Sequence, residues 1–365
     1  MIFPKHLLLC LLWGLPSLAG AQPDSTVQDS VRPRKWGILP VPAIASSPET
    51  GWYIGAVALI TYNPRLGDGT RTSNGKLEFN YTQNKQWIFD NNWNIFTREN
   101  KYNLQGELQW MLFPENFWGI GGNTTADQEE RFETKRLEFS QQVLFSLRPN
   151  LYLGPVYRLQ YLYDLVPADS GQLAEGIITG SQGGLSSGVG YRVAWDSRQN
   201  PLNAKQGALI QWQQIGFSPI LGSDFTFLQT MLEARTYLPL REGHTLAFQG
   251  IGWFTAGDPP FRMMHLLGGN QRMRGYYQGR FRDKQYIMAQ VEYRAHIWWR
   301  LGAAAFAGIG NVAPTLAGFG DSPWKPTLGA GLRVLTDKEE DINLRIDFAW
   351  GRDTFEFYLS FGEAF

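Results

Sequence analysis

The chain has 365 residues with 33 Lys+Arg against 33 Asp+Glu, and at 43% hydrophobic and 18% charged it is too apolar to be disordered. A formal charge of zero removes the electrostatic drive toward nucleic acid, and a single cysteine excludes a disulfide framework. The unusual feature is 14 Trp, 15 Tyr and 23 Phe in a chain of negative mean hydropathy. Aromatic and polar residues are both plentiful, as expected when two unlike faces alternate along extended strands.

Residues 1–21 read as a secretory signal: Lys5 and His6, an apolar run from Leu7 to Leu15, then Ala19-Gly20-Ala21 as a small-residue cleavage site. Cys10 lies inside that run without the small residues that lipidation would need before it, so the mature chain is expected to lack cysteine. Residues 22–35 form a polar, Pro-containing stretch, expected to be a periplasmic linker. No second spanning helix is expected, because the uncharged stretch Leu301 to Gly320 contains five Gly plus Asn311 and Pro314. Membrane residence would therefore require a closed β-barrel, since lipid offers no water to unpaired backbone groups.

The period along the chain is two. Leu77, Phe79 and Tyr81 alternate with Lys76, Glu78 and Asn80; Tyr102, Leu104, Leu108, Trp110 and Leu112 alternate with Lys101, Asn103, Gln105, Glu107 and Gln109. Leu137 to Leu147 and Ile342 to Trp350 repeat the pattern, and Phe355, Phe357, Leu359, Phe361 and Phe365 share one face with Glu363 breaking the series. With turn signals between such runs, strands are predicted near 36–45, 51–63, 74–84, 86–97, 101–112, 133–148, 150–163 and 182–196 in the first half. The second half adds 206–217, 224–238, 244–256, 285–298, 300–310, 325–335, 341–350 and 355–364. These sixteen strands predict an all-β fold, a 16-stranded antiparallel transmembrane β-barrel over 36–365. An even count puts both ends of the barrel on one side, and the long connections 113–132, 164–181, 257–284 and 311–324 all follow odd strands. A soluble sandwich would also alternate. It would not face water with Trp87, Phe89 and Trp93 or with Leu104, Leu108 and Trp110.

Parity sends Lys76, Glu78, Asp90, Lys101, Glu107, Arg136, Glu138, Arg158, Arg192, Asp196, Glu233, Arg235, Glu292, Arg294, Arg333, Arg345 and Asp347 to the lumen. Interleaved signs suit a partly filled interior whose buried ions pair, rather than an ion-selective pore lined by one sign. The longest connection, 257–284, is the sixth outer loop and the candidate plug, and it carries Gly268-Gly269 and Arg272-Met273-Arg274-Gly275-Tyr276-Tyr277. Composition alone fits equally an exposed basic loop contacting anionic lipopolysaccharide.

Gly268-Gly269 with Arg274-Gly275-Tyr276, then Glu292-Tyr293-Arg294, Gly329-Ala330-Gly331-Leu332-Arg333 and the aromatic end of the chain resemble the barrel of the BamA/TamA outer-membrane superfamily, the bacterial surface antigen family. Asp196-Ser197-Arg198 with Pro201 and Gly207 is similar to another stretch of that barrel. The resemblance implies a bacterial outer-membrane location and a loop six folded into the lumen, where Arg274 at an Arg-Gly-aromatic tip meets an acid on strand twelve, here Glu292. It also implies an acid on strand thirteen. The family's Phe-x-Asp-x-Gly stands here as Phe306-Ala307-Gly308-Ile309-Gly310, so Arg274 is expected to be held by Glu292 alone, or by Asp347 through a rearrangement, with Arg294, Arg333 and Asp347 as supporting lumen residues. Periplasmic POTRA domains precede the barrel in family members that insert proteins; with only 22–35 ahead of the first strand, a barrel-only member is expected.

Pro40 and Pro42, two residues apart in the first strand, both lack an N–H. Facing the last strand, they would leave the closing seam, Phe365 included, short of two ladder donors at about 1 kcal/mol net each. A proline-rich lead-in outside the sheet is the alternative. Catalysis is not expected: His296 shares the inward parity of Glu292 and Arg294, but no nucleophile motif accompanies it, and Gly180-Ser181-Gln182-Gly183 lies in a loop. No metal or cofactor is expected, because His, Cys and Asp do not recur at ligand spacing and no phosphate-binding glycine motif is present. The expected function is to aid insertion or translocation of protein or lipid through a lateral opening at the seam; the alternative is a plugged transport or structural barrel. Expected partners are outer-membrane lipid and lipopolysaccharide, with periplasmic accessory proteins or client polypeptides.

Overall fold

In the computed structural model, residues 36–62, 69–200, 203–337 and 341–365 are described. The expected signal peptide and linker, 1–35, lie outside the described residues. Sixteen long strands follow one another: β1 Trp36–Ser47, β2 Gly51–Tyr62, β3 Ser73–Thr82, β4 Trp87–Phe96, β5 Tyr102–Leu112, β6 Glu130–Arg148, β7 Leu151–Val166 and β8 Gly184–Asp196. They continue with β9 Gly207–Phe217, β10 Phe227–Arg241, β11 His244–Gly257, β12 Gln285–Trp298, β13 Leu301–Ala313, β14 Lys325–Asp337, β15 Ile342–Gly351 and β16 Thr354–Phe361. Each pairs antiparallel with its neighbours in sequence, and β1 meets β16, so the sheet closes into a barrel.

The alternating pattern builds this cylinder because each strand can bury one set of side chains only by turning the other to lipid. On β3, Leu77, Phe79 and Tyr81 are exposed while Lys76 pairs with Glu78 at 2.5 Å and with Asp90 of β4 at 2.7 Å on the inner face. Exposed tryptophans gather at the two rims: Trp36, Trp195, Trp298 and Trp299 at the end with short turns, and Trp52, Trp87 and Trp350 at the end with long loops. Such belts mark the two lipid–water boundaries of a spanning barrel. No helix among the described residues is long and apolar enough to cross a membrane, which does not bear on strands. Lys101 departs from its expected place. It sits exposed in the turn before β5, its ammonium 5.4 Å from the Tyr102 ring, because the strand starts one residue later than its parity assumed.

Pairing strength is uneven around the ring. β1 and β2 match at every position from Trp36↔Tyr62 to Ser47↔Gly51, prolines included: Pro40 lies opposite Ala58 and Pro42 opposite Ala56, so they belong to the sheet. β15 and β16 match from Leu344↔Phe361 to Gly351↔Thr354. Between β1 and β16 the register reduces to Ser46↔Leu359. Pro40 and Pro42 fall in the stretch of β1 that has no counterpart on β16.

Candidate functional site: the loop-six clasp and the seam

The residues after β11 do not extend away from the barrel. His265–Leu267 pairs with Phe281–Asp283 as a short hairpin, and the chain between them turns into the lumen. Its tip, Arg274-Gly275-Tyr276, docks on the inner wall of β12 to β16. Sheet register prepares the landing place. Glu292 lies opposite Phe306, which lies opposite Gly329, which lies opposite Ala349; one level on, Arg294 lies opposite Ala304, which lies opposite Gly331, which lies opposite Asp347. Gly329, Ala304 and Gly331, the small inward residues within the two rows, leave the volume that the tip occupies, and a carboxylate stands at one end of each row, Glu292 on β12 in the first and Asp347 on β15 in the second.

Arg274 fills that space. Its guanidinium donates to Glu292 at 2.5 Å and to Asp347 at 2.5 Å, and all three side chains are inaccessible to solvent. The guanidinium also lies 3.5 Å from the centre of the Phe306 ring. A buried charge costs several kcal/mol unless it is paired; here two carboxylates and an aromatic face share one cation. Asp347, on β15, thus supplies the second acid that the sequence of β13 lacks.

Gly275 sits at φ +109°, and a Cβ there would lie 2.7 Å from the backbone carbon of Trp350. Its N–H donates to the Tyr358 hydroxyl at 3.0 Å and its carbonyl accepts from Thr354 Oγ1 at 2.5 Å. The buried Tyr276 hydroxyl donates to the Pro326 carbonyl at 3.0 Å and accepts the Arg352 N–H at 2.8 Å.

The clasp continues toward the end with short turns. Arg294 donates to Glu292 at 2.7 Å, Arg333 to Asp347 at 2.6 Å and to Glu363 at 2.9 Å, and Arg345 to the Asn270 carbonyl of loop six at 2.9 Å. Arg333 and Arg345 stand directly opposite each other. Asp347 and Glu363 offset the repulsion between these like charges.

Glu363 and Phe365 reach this network because Gly362, at φ +79°, ends β16 and turns the chain inward. The Phe365 carbonyl accepts from Arg294 at 2.8 Å, and its buried ring packs near Tyr237 and over Arg294. Phe365 therefore departs from the expected seam position on the lipid face. The luminal arginines hold the segment that would otherwise extend β16 along β1.

The structure brings Arg274, Gly275, Tyr276, Glu292, Arg294, Arg333 and Asp347 into one contiguous cluster, places Pro40 and Pro42 at the unpaired edge of β1, and separates Phe365 from that edge. Sequence reasoning missed Glu363, Phe306 and Tyr358 as members. The break in alternation at Glu363 was the available signal. His296 lies outside the cluster, exposed and sharing a hydrogen bond of 3.0 Å with the Trp299 carbonyl. At the outer end, Glu49 in the β1–β2 turn accepts the Gln278 N–H of loop six at 2.6 Å, and burial raises its carboxyl above the ordinary range. His265 in the loop-six hairpin is pushed down to about 3 by burial and by the fields of Arg158 and Arg272, so its imidazole is neutral.

Comparison with known proteins agrees with this fold. The model of the Omp85 superfamily domain matches residues 50–365. BamA from Haemophilus ducreyi lacking POTRA domains 1–3 is similar in fold, with a TM-score of 0.59 at 15% identity over 90% of this chain and 70% of that one. CdiB from Acinetobacter baumannii is similar at a TM-score of 0.56 and 10% identity, over 90% of this chain and 60% of that one, so this chain spans less than two thirds of CdiB. No protein of curated function matches the sequence. A closed sixteen-stranded barrel with a family match over residues 50–365 places this chain in the Omp85 superfamily, as a β-barrel of the bacterial outer membrane.

Proposed function

We propose that the barrel helps polypeptide or lipid enter or cross the outer membrane through a lateral opening between β1 and β16. The observation that carries this reading is the single register pair Ser46↔Leu359, against a full-length match of β1 to β2. Each ladder hydrogen bond contributes about 1 kcal/mol net, so a joint of one pair is the cheapest place to part the wall. Capture of Glu363 and Phe365 by Arg333 and Arg294 keeps the joint short, and the missing donors of Pro40 and Pro42 prevent part of β1 from extending it. The role is mechanical and non-enzymatic. Its partners are outer-membrane lipid and lipopolysaccharide, client polypeptides and periplasmic accessory proteins.

Reconstitution in liposomes tests it, with Ser46→Cys and Leu359→Cys introduced together. Assisted folding of a second barrel, or lipid scrambling, is expected in the reduced protein and lost on oxidation. Equal activity in both redox states would sink the lateral opening. A second reading, a plugged transport or structural barrel, draws on the loop-six tip packed in the lumen; solute leakage without assisted folding or scrambling would favour it.

A further inference from the structure

A cavity of about 430 Å³ lies in the lumen between loop six and the inner faces of β4 to β7 and β10 to β12. Each of its three carboxylates already has a donor. Glu115 pairs with Arg136 at 3.1 Å and Arg262 at 2.9 Å, Glu138 pairs with Arg136 at 2.7 Å and accepts from Gln160 at 3.0 Å, and Glu49 accepts the Gln278 N–H at 2.6 Å. Arg158 of β7 and Arg272 of loop six line the same cavity and differ from these. Among the described residues neither makes an ion pair or a hydrogen bond; Arg272 lies 6.0 Å from the centre of the Trp253 ring, and Arg158 and Arg272 interact with Glu107 and Glu233 respectively through their fields alone. The Trp253 ring in turn lies 5.1 Å from that of His265, whose neutral imidazole feels both arginines and adds no compensating charge.

The remaining polar atoms of the cavity point to the same chemistry. Tyr286, only 1% exposed, has a hydroxyl with no partner, and the Trp253 indole N–H and the Nε–H of Arg262 are likewise unpaired. Gln229 Oε1 is the one fully buried acceptor left unpaired among the described cavity residues. Buried donors without acceptors are costly, and two guanidinium forks with a phenol and an indole present more N–H and O–H groups than the two oxygens of a carboxylate can accept. A phosphate group supplies three or four oxygens, and when singly protonated also a hydroxyl for Gln229.

We propose that Arg158 and Arg272, with Tyr286 and Trp253, bind a phosphate group in this cavity and so tie loop six to the β7 wall. The ligand is either free phosphate or the phosphate of a monoester headgroup. The site does not depend on the lateral opening and stands or falls separately from it.

Isothermal titration of the full chain in detergent micelles tests it, using inorganic phosphate, glycerol 3-phosphate and acetate at matched chloride. Saturable binding of inorganic phosphate is expected, weakened about tenfold or more by Arg158→Gln or Arg272→Gln, and unaffected by Arg300→Gln in the β12–β13 turn. Arg158→Lys, which keeps the charge, is expected to retain part of the affinity. Circular dichroism establishes that each variant keeps its β-structure. Glycerol 3-phosphate binding as tightly as inorganic phosphate assigns the site to a headgroup; binding of inorganic phosphate alone assigns it to the free ion. In either case phosphate slows proteolysis of loop six in the unmodified protein and not in the double variant. Absence of saturable phosphate binding, equal binding of acetate, or full binding by the Arg158→Gln/Arg272→Gln protein would overturn the assignment.

Discussion

The inner wall of β12 to β16 and the seam between β1 and β16 belong to one sheet and are built on opposite terms. Among the described residues the wall gathers four guanidinium groups, of Arg274, Arg294, Arg333 and Arg345, around the carboxylates of Glu292, Asp347 and Glu363. Among the described residues the seam has one paired position. The two are linked, because the wall draws Glu363 and Phe365 inward and so removes from β16 the residues that could pair with β1. Tight packing in one place thus creates weakness beside it.

The largest effect is expected from taking both acids from Arg274. Glu292→Ala with Asp347→Ala leaves a buried guanidinium without a carboxylate, a loss of roughly 3–5 kcal/mol, and loop six should leave the lumen. Limited proteolysis within 257–284 should accelerate sharply while the barrel keeps its β-sheet spectrum; unchanged cleavage would mean that the clasp does not hold the loop. Glu292→Ala alone should loosen the loop less, since Asp347 and Phe306 remain.

Gly275→Ala forces a side chain into the left-handed region against the Trp350 backbone. A cost of about 1–3 kcal/mol is expected, read as a lower thermal unfolding midpoint in detergent. An unchanged midpoint would show that the tip has room to shift. Phe306→Leu removes the aromatic face beneath Arg274 and should cost no more than about 2 kcal/mol; an effect as large as that of the double acid variant would put the ring, rather than the carboxylates, at the centre of the clasp.

Glu49→Gln, where loop six meets the β1–β2 turn, should act weakly and with the opposite sign. Burial raises this carboxyl, so the folded state keeps its proton to higher pH than the unfolded chain, and ionisation destabilises the fold only above the ordinary glutamate range. The amide should therefore stabilise at neutral pH, with the gain vanishing as the pH falls below that range, where both states are protonated. A loss of stability at pH 7 would mean that the charge itself holds the Gln278 N–H.

Much of this was legible in the sequence. Period-two alternation gave all sixteen strands to within a few residues, because each must satisfy lipid on one side and a polar lumen on the other. Arg274 and Glu292 were legible through motif and parity. Which second acid completes the clasp was left open, since the choice of Asp347 depends on register across β12 to β15, a property that no single strand displays. The inward turn at Gly362 was hidden for a related reason: the hydrophobic series through Phe365 reads as continuous strand, and only the luminal arginines, far away in sequence, redirect it.

Disulfide trapping along the seam tests the central claim most directly. Cysteine pairs are placed at Ser46 with Leu359, at Ile44 with Phe361, and at Pro42 with Glu363, following the antiparallel register outward from the one paired position. Efficient crosslinking is expected at the first pair, much less at the second and none at the third. Equal crosslinking at all three would show a seam zipped along its length and would contradict a joint held at a single point.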